Sequence, residues 1–332
     1  MTASSYHPTG AEARTALESA ARRSLPAPSV FNTQPWKWRL AGEVLELRAD
    51  QSRRLEAIDP DGNLMMLSCG AVLHHARTAL AAGGWAATVH RLPDPDDGDL
   101  LARVHLSGTA APDPWVPAMA DAITVRRTDR RTFGAREVPA DLVEQLGLLV
   151  EREGARLHRV LPGQMALLAV STDLAATAEL EDPDYRADLH RWTSRPSHSG
   201  DGVPPTTAVQ PGLRRVPVRD FDPEGTQGLT AGSGRDEGAV YVVIYGIGYR
   251  PIDLLCGGEA LSALLLGATA AGLSTAPLSD AVEVTWPRHL LRYLLSGRGE
   301  PYVVVRLGYR DSAEPLPSVP RRDPAEMIEI SP

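Results

Sequence analysis

Two short segments concentrate side chains with chemistry to offer. APSVFNTQPWKWRL, residues 27–40, sets Ser29, Asn32, Thr33 and Gln34 between two prolines and ends in two tryptophans. Such side chains can satisfy their own loop backbone. A hydroxyl and two amides in a rigid row also suit the polar edge of a planar heterocycle, with Val30 and Trp36 as apolar neighbours. The second segment, VRRTDRRTF at 125–133, packs four arginines and two threonines at a helix end. It reads either as a solvated basic face or as an anion site, because guanidinium groups bind phosphate oxygens in pairs and Thr128 can donate a further bond. Asp129 dilutes the charge, so one phosphate suits the cluster better than a polyanion. A third segment, GLSTAPLSDAVE at 272–283, reads alone as a helix C-terminus and a turn through Pro277, with Ser279 and Asp280 adjacent.

The whole chain narrows the choices. Its 332 residues carry 34 Lys and Arg against 42 Asp and Glu, a net charge of −8, which opposes general attraction to nucleic acid or an anionic membrane. Two isolated cysteines, Cys69 and Cys256, build neither a disulfide framework nor a CxxC metal site and fit a reducing cytoplasm. The N-terminal stretch has no basic region followed by an apolar run, so no secretory signal is expected. The apolar run 260–273 is interrupted by Ser262, Gly267, Thr269 and Gly272, and reads as a buried helix rather than a membrane span. His74 and His75, adjacent on a helix, point about 100° apart and do not readily share a metal. No HExxH, GxSxG, GxxxxGK[ST] or complete GxGxxG is present.

These segments need elements to position them. Helices are expected at 11–24, from 63 to the Gly83-Gly84 stop, in MADAITVRR, after Val138 with Asp141 as a cap, at 163–181 and at 258–273; strands are expected at 42–49, 100–106, 157–160, 239–247 and 301–309. The proline-rich stretch 111–117 marks a junction, dividing the chain into 1–112 and 113–332. From about 182 to 238 the sequence is mostly turn chemistry, longer than ordinary loops, and its Gly-rich part 225–238 offers a hinge. Setting Gly70 beneath Gly258 aligns Leu73 with Leu261, Ala82 with Ala270 and Gly84 with Gly272 without a gap, the pattern of an internal duplication.

In this order the segments resemble the nitroreductase-like FMN-binding superfamily, most of all its fused Acg-type members, in which one chain carries two nitroreductase-like halves. The resemblance rests on APSxxNxQPW at 27–36, RR[ST]xR at 126–130, the helix and turn at 258–283, and LGY at 307–309. It implies an α+β fold of two related halves joined as a pseudo-dimer, with FMN in the cleft between them and hydride passing from NAD(P)H to the flavin and on to an acceptor. By the same resemblance, Arg126, Arg127, Thr128 and Arg130 would hold the phosphate and ribityl chain, and Ser29, Asn32 and Gln34 would face the ring. Ser279, with the backbone of Pro277 and Leu278, would lie near flavin N5, and Arg321 and Arg322 would reach the phosphate.

No acid or base is obligatory, so no catalytic side chain is named, and no metal is expected. Arg22-Arg23-Ser24 lies directly before the first motif rather than a domain-length earlier, so one FMN per chain is expected. A fused pair supplies both sides of one cleft, as a monomer or within a homodimer. The implied activity is two-electron reduction of a nitro, quinone or similar small electrophile. The alternative is FMN sequestration beneath 182–238, which resembles the lid of Acg-type members. Nucleic-acid or protein binding by the arginines is disfavoured, since no aromatics are interleaved with them.

Overall fold

The computed structural model describes residues 9–331 apart from 210, 211, 213, 222–227 and 313, so part of the expected hinge lies outside the described residues. Helix α1 (Gly10–Ser24) opens on a capping box in which Thr9 and Glu12 satisfy each other's backbone N–H groups. Strand β1 (Trp36–Ala41) follows the 27–35 loop and buries Trp36, Trp38 and Leu40 while Lys37 and Arg39 face solvent. That period of two sits in a stretch the sequence reading left as loop. Gly42, with φ of +59°, turns the chain into β2 (Val44–Ala49), and α2 (Asn63–Ala82), β3 (Trp85–Arg91) and β4 (Leu100–Thr109) complete the first run.

Helix α3 (Val116–Val125) bridges to α4 (Ala140–Arg152), β5 (Arg156–Arg159), α5 (Met165–Glu181), α6 (Pro183–Thr193), β6 (Val240–Gly246), α7 (Pro251–Ala270) and β7 (Ser274–Leu278). The chain ends through α8 (Asp280–Glu283), α9 (Thr285–Leu294), β8 (Glu300–Gly308), α10 (Pro324–Met327) and β9 (Ile328–Ser331). The strands form two sheets, β3-β4-β2-β1-β9 and β5-β6-β8-β7. All pairs are antiparallel except β1 with β9, so the C-terminal tail crosses over to extend the first sheet.

The run α1-β1-β2-α2-β3-β4 is repeated as α4-β5-β6-α7-β7-β8, and apart from β9 the two sheets match strand for strand. The central contact confirms the repeat. A Cβ at Gly70 would overlap Leu255 O and lie 2.8 Å from Gly258 Cα; one at Gly258 would overlap Leu67 O and lie 2.8 Å from Gly70 Cα. Gly70 and Gly258 are counterparts in the gapless alignment, as are Leu67 and Leu255. His74 Nδ1 also meets its counterpart, Ser262 Oγ, at 2.8 Å. Residues that touch their own counterparts mark a two-fold axis, here internal to one chain. Helix α7 is long and apolar enough to pass for a membrane span, but 78% of that window is buried inside the fold.

The repeats differ in one connection. Gly42 and Glu43 join β1 to β2, whereas residues 160–239 separate β5 from β6 and include the expected lid. Within it, α6 replaces turn chemistry with a capped helix: Asp182 accepts from the N–H groups of Asp184 and Tyr185, and Pro183 takes the first helical position. Asp141 is not a cap; Pro139 holds that place and Asp141 lies in the first turn. Pro277 sits in edge strand β7 rather than in a turn. Helix α7 begins at Pro251, with Arg250 and Asp253 forming its start, and so runs 20 residues. Cys69 is buried and Cys256 half-buried, both as free thiols.

Because α2 and α7 touch backbone to backbone, Gly70→Ala should cost about 3 kcal/mol or more. Gly84→Ala, where a Cβ meets nothing but φ is +83°, should cost about 1 kcal/mol. Urea unfolding midpoints of the two variants give the comparison, and equal losses would contradict the close crossing.

Candidate functional site

The 27–36 loop lies where the halves meet. Phe31, Asn32 and Gln34 have φ of 47°, 55° and 50°, three left-handed non-glycine residues within four positions. Such conformations cost free energy and persist only where neighbours over-determine them. Here Ser29 Oγ accepts from the Gln34 N–H at 2.9 Å, and Ser68 Oγ on α2 accepts from the Val30 N–H at 3.1 Å. Asn32 Nδ2 donates to Gly202 O at 3.0 Å and Pro320 O at 3.1 Å, while its Oδ1 accepts from Arg321 at 3.0 Å. Gln34 Nε2 donates to Gly200 O at 2.8 Å, and its Oε1 accepts from the Arg322 N–H at 3.1 Å.

Asn32 and Gln34, expected to face a ring, have these protein partners in the structure. Both amides are spent on the 160–239 insertion and the C-terminal tail, two segments that fold back onto the loop from far along the chain. Ser29 alone of the three lines the adjacent cavity. Trp36, expected beside the ring, is fully buried in the first sheet.

That cavity holds about 680 Å³ not filled by protein atoms, its mouth included. Ser29, Val30 and Phe31 line it from the first half, and Thr128, Arg130, Pro277 and Ser279 from the second. Leu64, Leu67, Leu261 and Val303 give it an apolar floor. Thr128 is fixed against β7 by a bridge to Thr275, with the Asp129 N–H on Thr275 O at 2.9 Å. Leu278 lies in the core.

The arginines divide into groups. Arg126 is 4% exposed, its Nη2 lies 3.5 Å from Pro26 O, and Nε and Nη1 have no partner. Arg321 Nη2 donates to the same Pro26 O at 2.9 Å, and its Nε is also unpartnered. Two guanidinium groups thus converge on one carbonyl, and among the described residues no carboxylate is bonded to either. Burial, Arg321 and Arg127 push the Arg126 pKa down to about 9, and burial with Arg127 lowers that of Arg321 to about 10. Such a pair is costly without an anion. Arg127 caps the carbonyls of Thr124 and Arg126. Arg322, expected at the phosphate, instead clamps the loop: its Nη1 donates to Gln34 O at 3.2 Å and lies 3.6 Å from Asp50.

The sequence reading missed Arg219 and Phe221, which enter the cavity from the insertion. Phe221 packs edge-on against Phe31 with centroids 5.5 Å apart, and Arg130 stacks over it at 4.3 Å. Arg219 binds Glu179 at 2.8 Å and Glu283 at 2.6 Å, lies 3.8 Å from Asp280, and shares Glu283 with the Tyr185 hydroxyl. Burial, with Glu283 and Asp280 adding repulsion that Arg219 only partly offsets, pushes the Glu179 pKa up to about 7. A second clamp pairs Asp201 with Arg195 at 2.7 Å and with Arg53, both arginines lying over Trp192. Burial alone would raise the Asp201 pKa, but hydrogen bonds from Arg195, Ser199 and Arg53 hold it at about 2. No short motif marks these residues, because their partners come from four separate elements.

No family profile matches the chain. It is 35% identical over 98% of its length, and 93% of theirs, to "Putative NAD(P)H nitroreductase Rv3131" of Mycobacterium tuberculosis. It is 35% identical over 95% of both chains to "Putative NAD(P)H nitroreductase acg" of the same organism. Among solved structures, the FMN-dependent nitroreductase NfnB from Mycobacterium smegmatis in complex with NADPH aligns with 65% of this chain and 99% of its own, at 16% identity and a TM-score of 0.42. A nitroreductase with bound FMN from Desulfitobacterium hafniense aligns with 61% and 94%, at 17% identity and a TM-score of 0.38. Near-full-length identity to two proteins of that name, over a chain built as two repeats of one α+β unit, makes this a member of the nitroreductase-like family in its fused, two-half form.

Proposed function

We propose that the cavity between the halves binds FMN and that the chain is an NAD(P)H-dependent oxidoreductase reducing a small electrophile of the nitro or quinone class. The observation that carries this reading is the buried Arg126 and Arg321 pair, which shares the carbonyl of Pro26, two residues before Pro28 on the cavity wall, has N–H donors to spare and, among the described residues, has no bonded carboxylate. A phosphate there would take up the unpartnered N–H groups and the excess charge, so the residues present fit the group. Arg126, Arg127, Arg321 and Thr128 would hold it, with Ser29, Arg130, Pro277 and Ser279 along the walls. Bound flavin would supply hydride-transfer chemistry, and the protein's part is to position the reactants.

Leu64, Leu67, Leu261 and Val303 exclude water from the floor of the cavity. In this proposal the working units are 1–112 and 113–332, with 182–238 as a lid, and no second chain is required. Arg219 and Phe221 line the cavity from the lid side and are fixed by their clamps. That observation favours the second reading, in which the lid keeps FMN bound and out of reach of nicotinamide.

Three measurements test these readings. Arg126→Ala with Arg321→Ala should weaken FMN binding about 100-fold or more, as two charge-assisted contacts are lost. Relief of two unpaired buried charges offsets the loss of the Arg321 hydrogen bonds to Asn32 and Pro26, so the flavin-free variant should keep its stability within about 1 kcal/mol of the parent's by urea unfolding. Unchanged FMN content would reject the phosphate assignment. In an anaerobic visible-spectrum titration, NADPH or NADH should bleach the flavin band of a reductase; a band that persists until dithionite is added marks sequestration, and Phe221→Ala should then restore bleaching.

The third concerns the latch. A carboxyl whose folded pKa is raised from 4.5 to about 7 contributes stability that is full below the lower value and lost as pH rises through the upper one. Glu179→Gln should therefore flatten the fall in stability between pH 5 and pH 8, read from urea midpoints. The same pH slope in parent and variant would exclude Glu179 as its source.

A further inference from the structure

Arg219 and Phe221 stand two residues apart on the insertion, and both line the cavity between the halves. Their arm is held down by contacts that do not balance in charge. Arg219 Nη2 donates to Glu179 at 2.8 Å and to Glu283 at 2.6 Å, and Asp280 lies 3.8 Å away. Glu179 is near the end of α5, whereas Asp280 and Glu283 belong to α8, which starts beside the cavity wall: the Val282 and Glu283 N–H groups donate to Ser279 O at 2.9 and 3.1 Å. One side chain of the insertion therefore ties α5 to the segment that carries Ser279.

Three carboxylates thus meet one guanidinium, and none of the four side chains is more than 6% exposed. The other titratable and charged groups that face them leave the excess in place. Tyr185 of α6 donates its hydroxyl to Glu283 Oε2 at 2.9 Å, and burial keeps its phenol neutral. Arg130, the other cation acting on Asp280, is stacked over Phe221 at 4.3 Å, and Asp59, before α2, adds a further negative charge near Glu283. Glu283 Oε1 and Arg219 Nε are sealed without partners, so the closed arrangement satisfies neither charge fully. Two carboxylates on the same donor atom do not both ionise readily out of water, and the closed arm keeps a proton between them; with Arg219 lifted away and water admitted, both ionise as ordinary carboxylates do.

We propose that residues 214–221 form a proton-linked gate over the cavity, held closed while Glu179 and Glu283 share a proton and freed as that proton is lost. The state that binds the extra proton is favoured where protons are plentiful. Closure is therefore strongest below the ordinary carboxylate range and weakens as pH rises through neutrality, the direction that goes with the raised Glu179 carboxyl. The gate does not rest on what the cavity binds, since every contact in it is made by the protein.

Trypsin cuts after Arg214, Arg215 and Arg219, so limited proteolysis of the intact protein at a series of pH values from 6 to 8 reads the gate directly. Dividing the parent's cleavage rate within 214–221 by that of Glu179→Gln at the same pH cancels the protease's own pH response. That ratio should rise about tenfold from pH 6 to pH 8. Asp280→Asn removes one neighbouring negative charge and leaves Glu179 in place, so it should move the rise to lower pH. A ratio that does not change with pH, an Asp280→Asn profile that coincides with the parent's, or cleavage of the parent spreading through α2 and α7 at the same rate would each overturn the proposal. The readout is a peptide bond, and it is taken with and without flavin, so a failed flavin assignment leaves the test of the gate intact.

Discussion

Everything in this molecule is arranged around the contact between Gly70 and Gly258. Only glycine lets α2 and α7 cross with backbone against backbone, and Leu64 and Leu67 of α2 and Leu261 of α7 line the same cavity. The cavity is a product of that crossing. Its walls come from the 27–36 loop of one half and from β7 and the Thr128 segment of the other, so neither repeat alone would make it.

Charge gives the site its direction. Removing Arg126 and Arg321 from water without a bonded carboxylate is unfavourable, and the fold accepts that cost at the Pro26 carbonyl, where both converge. Elsewhere, the buried arginines Arg306 and Arg219 are answered by Asp236 and by Glu179 with Glu283. The difference separates charges answered within the fold from charges that, in the proposed reading, await an anion. The insertion sits in the connection between the second repeat's first two strands: 160–239 stands where the first repeat has a tight turn, lines the cavity with Arg219 and Phe221, and accepts from the amides of Asn32 and Gln34 through Gly202 and Gly200.

Much of the fold was legible in the sequence, because local patterns report local structure. The periodicity of 63–82, the glycine stop at 83–84 and the β-rich 239–247 and 301–309 all gave elements close to those found, and the gapless match of Gly70 with Gly258 revealed the axis itself. Strands β1 and β7 were hidden by their own chemistry, one within a polar motif and the other around a proline. Thr128 and Arg130, close in sequence, both line the cavity, as a local motif leads one to expect. The partners of Asn32, Gln34 and Arg322 arrive from Gly200, Gly202, Pro320 and Asp50, contacts that spacing along the chain does not encode. Arg219 and Phe221 were invisible for the same reason.

The central claim is that two fused halves of unequal chemistry build one flavin site. The most direct measurement is the ratio of FMN to polypeptide in protein saturated with FMN, freed of excess and then denatured, with its mass in solution determined in parallel. The account predicts one FMN per chain, retained by the monomer. Two per chain, or none retained, would contradict it.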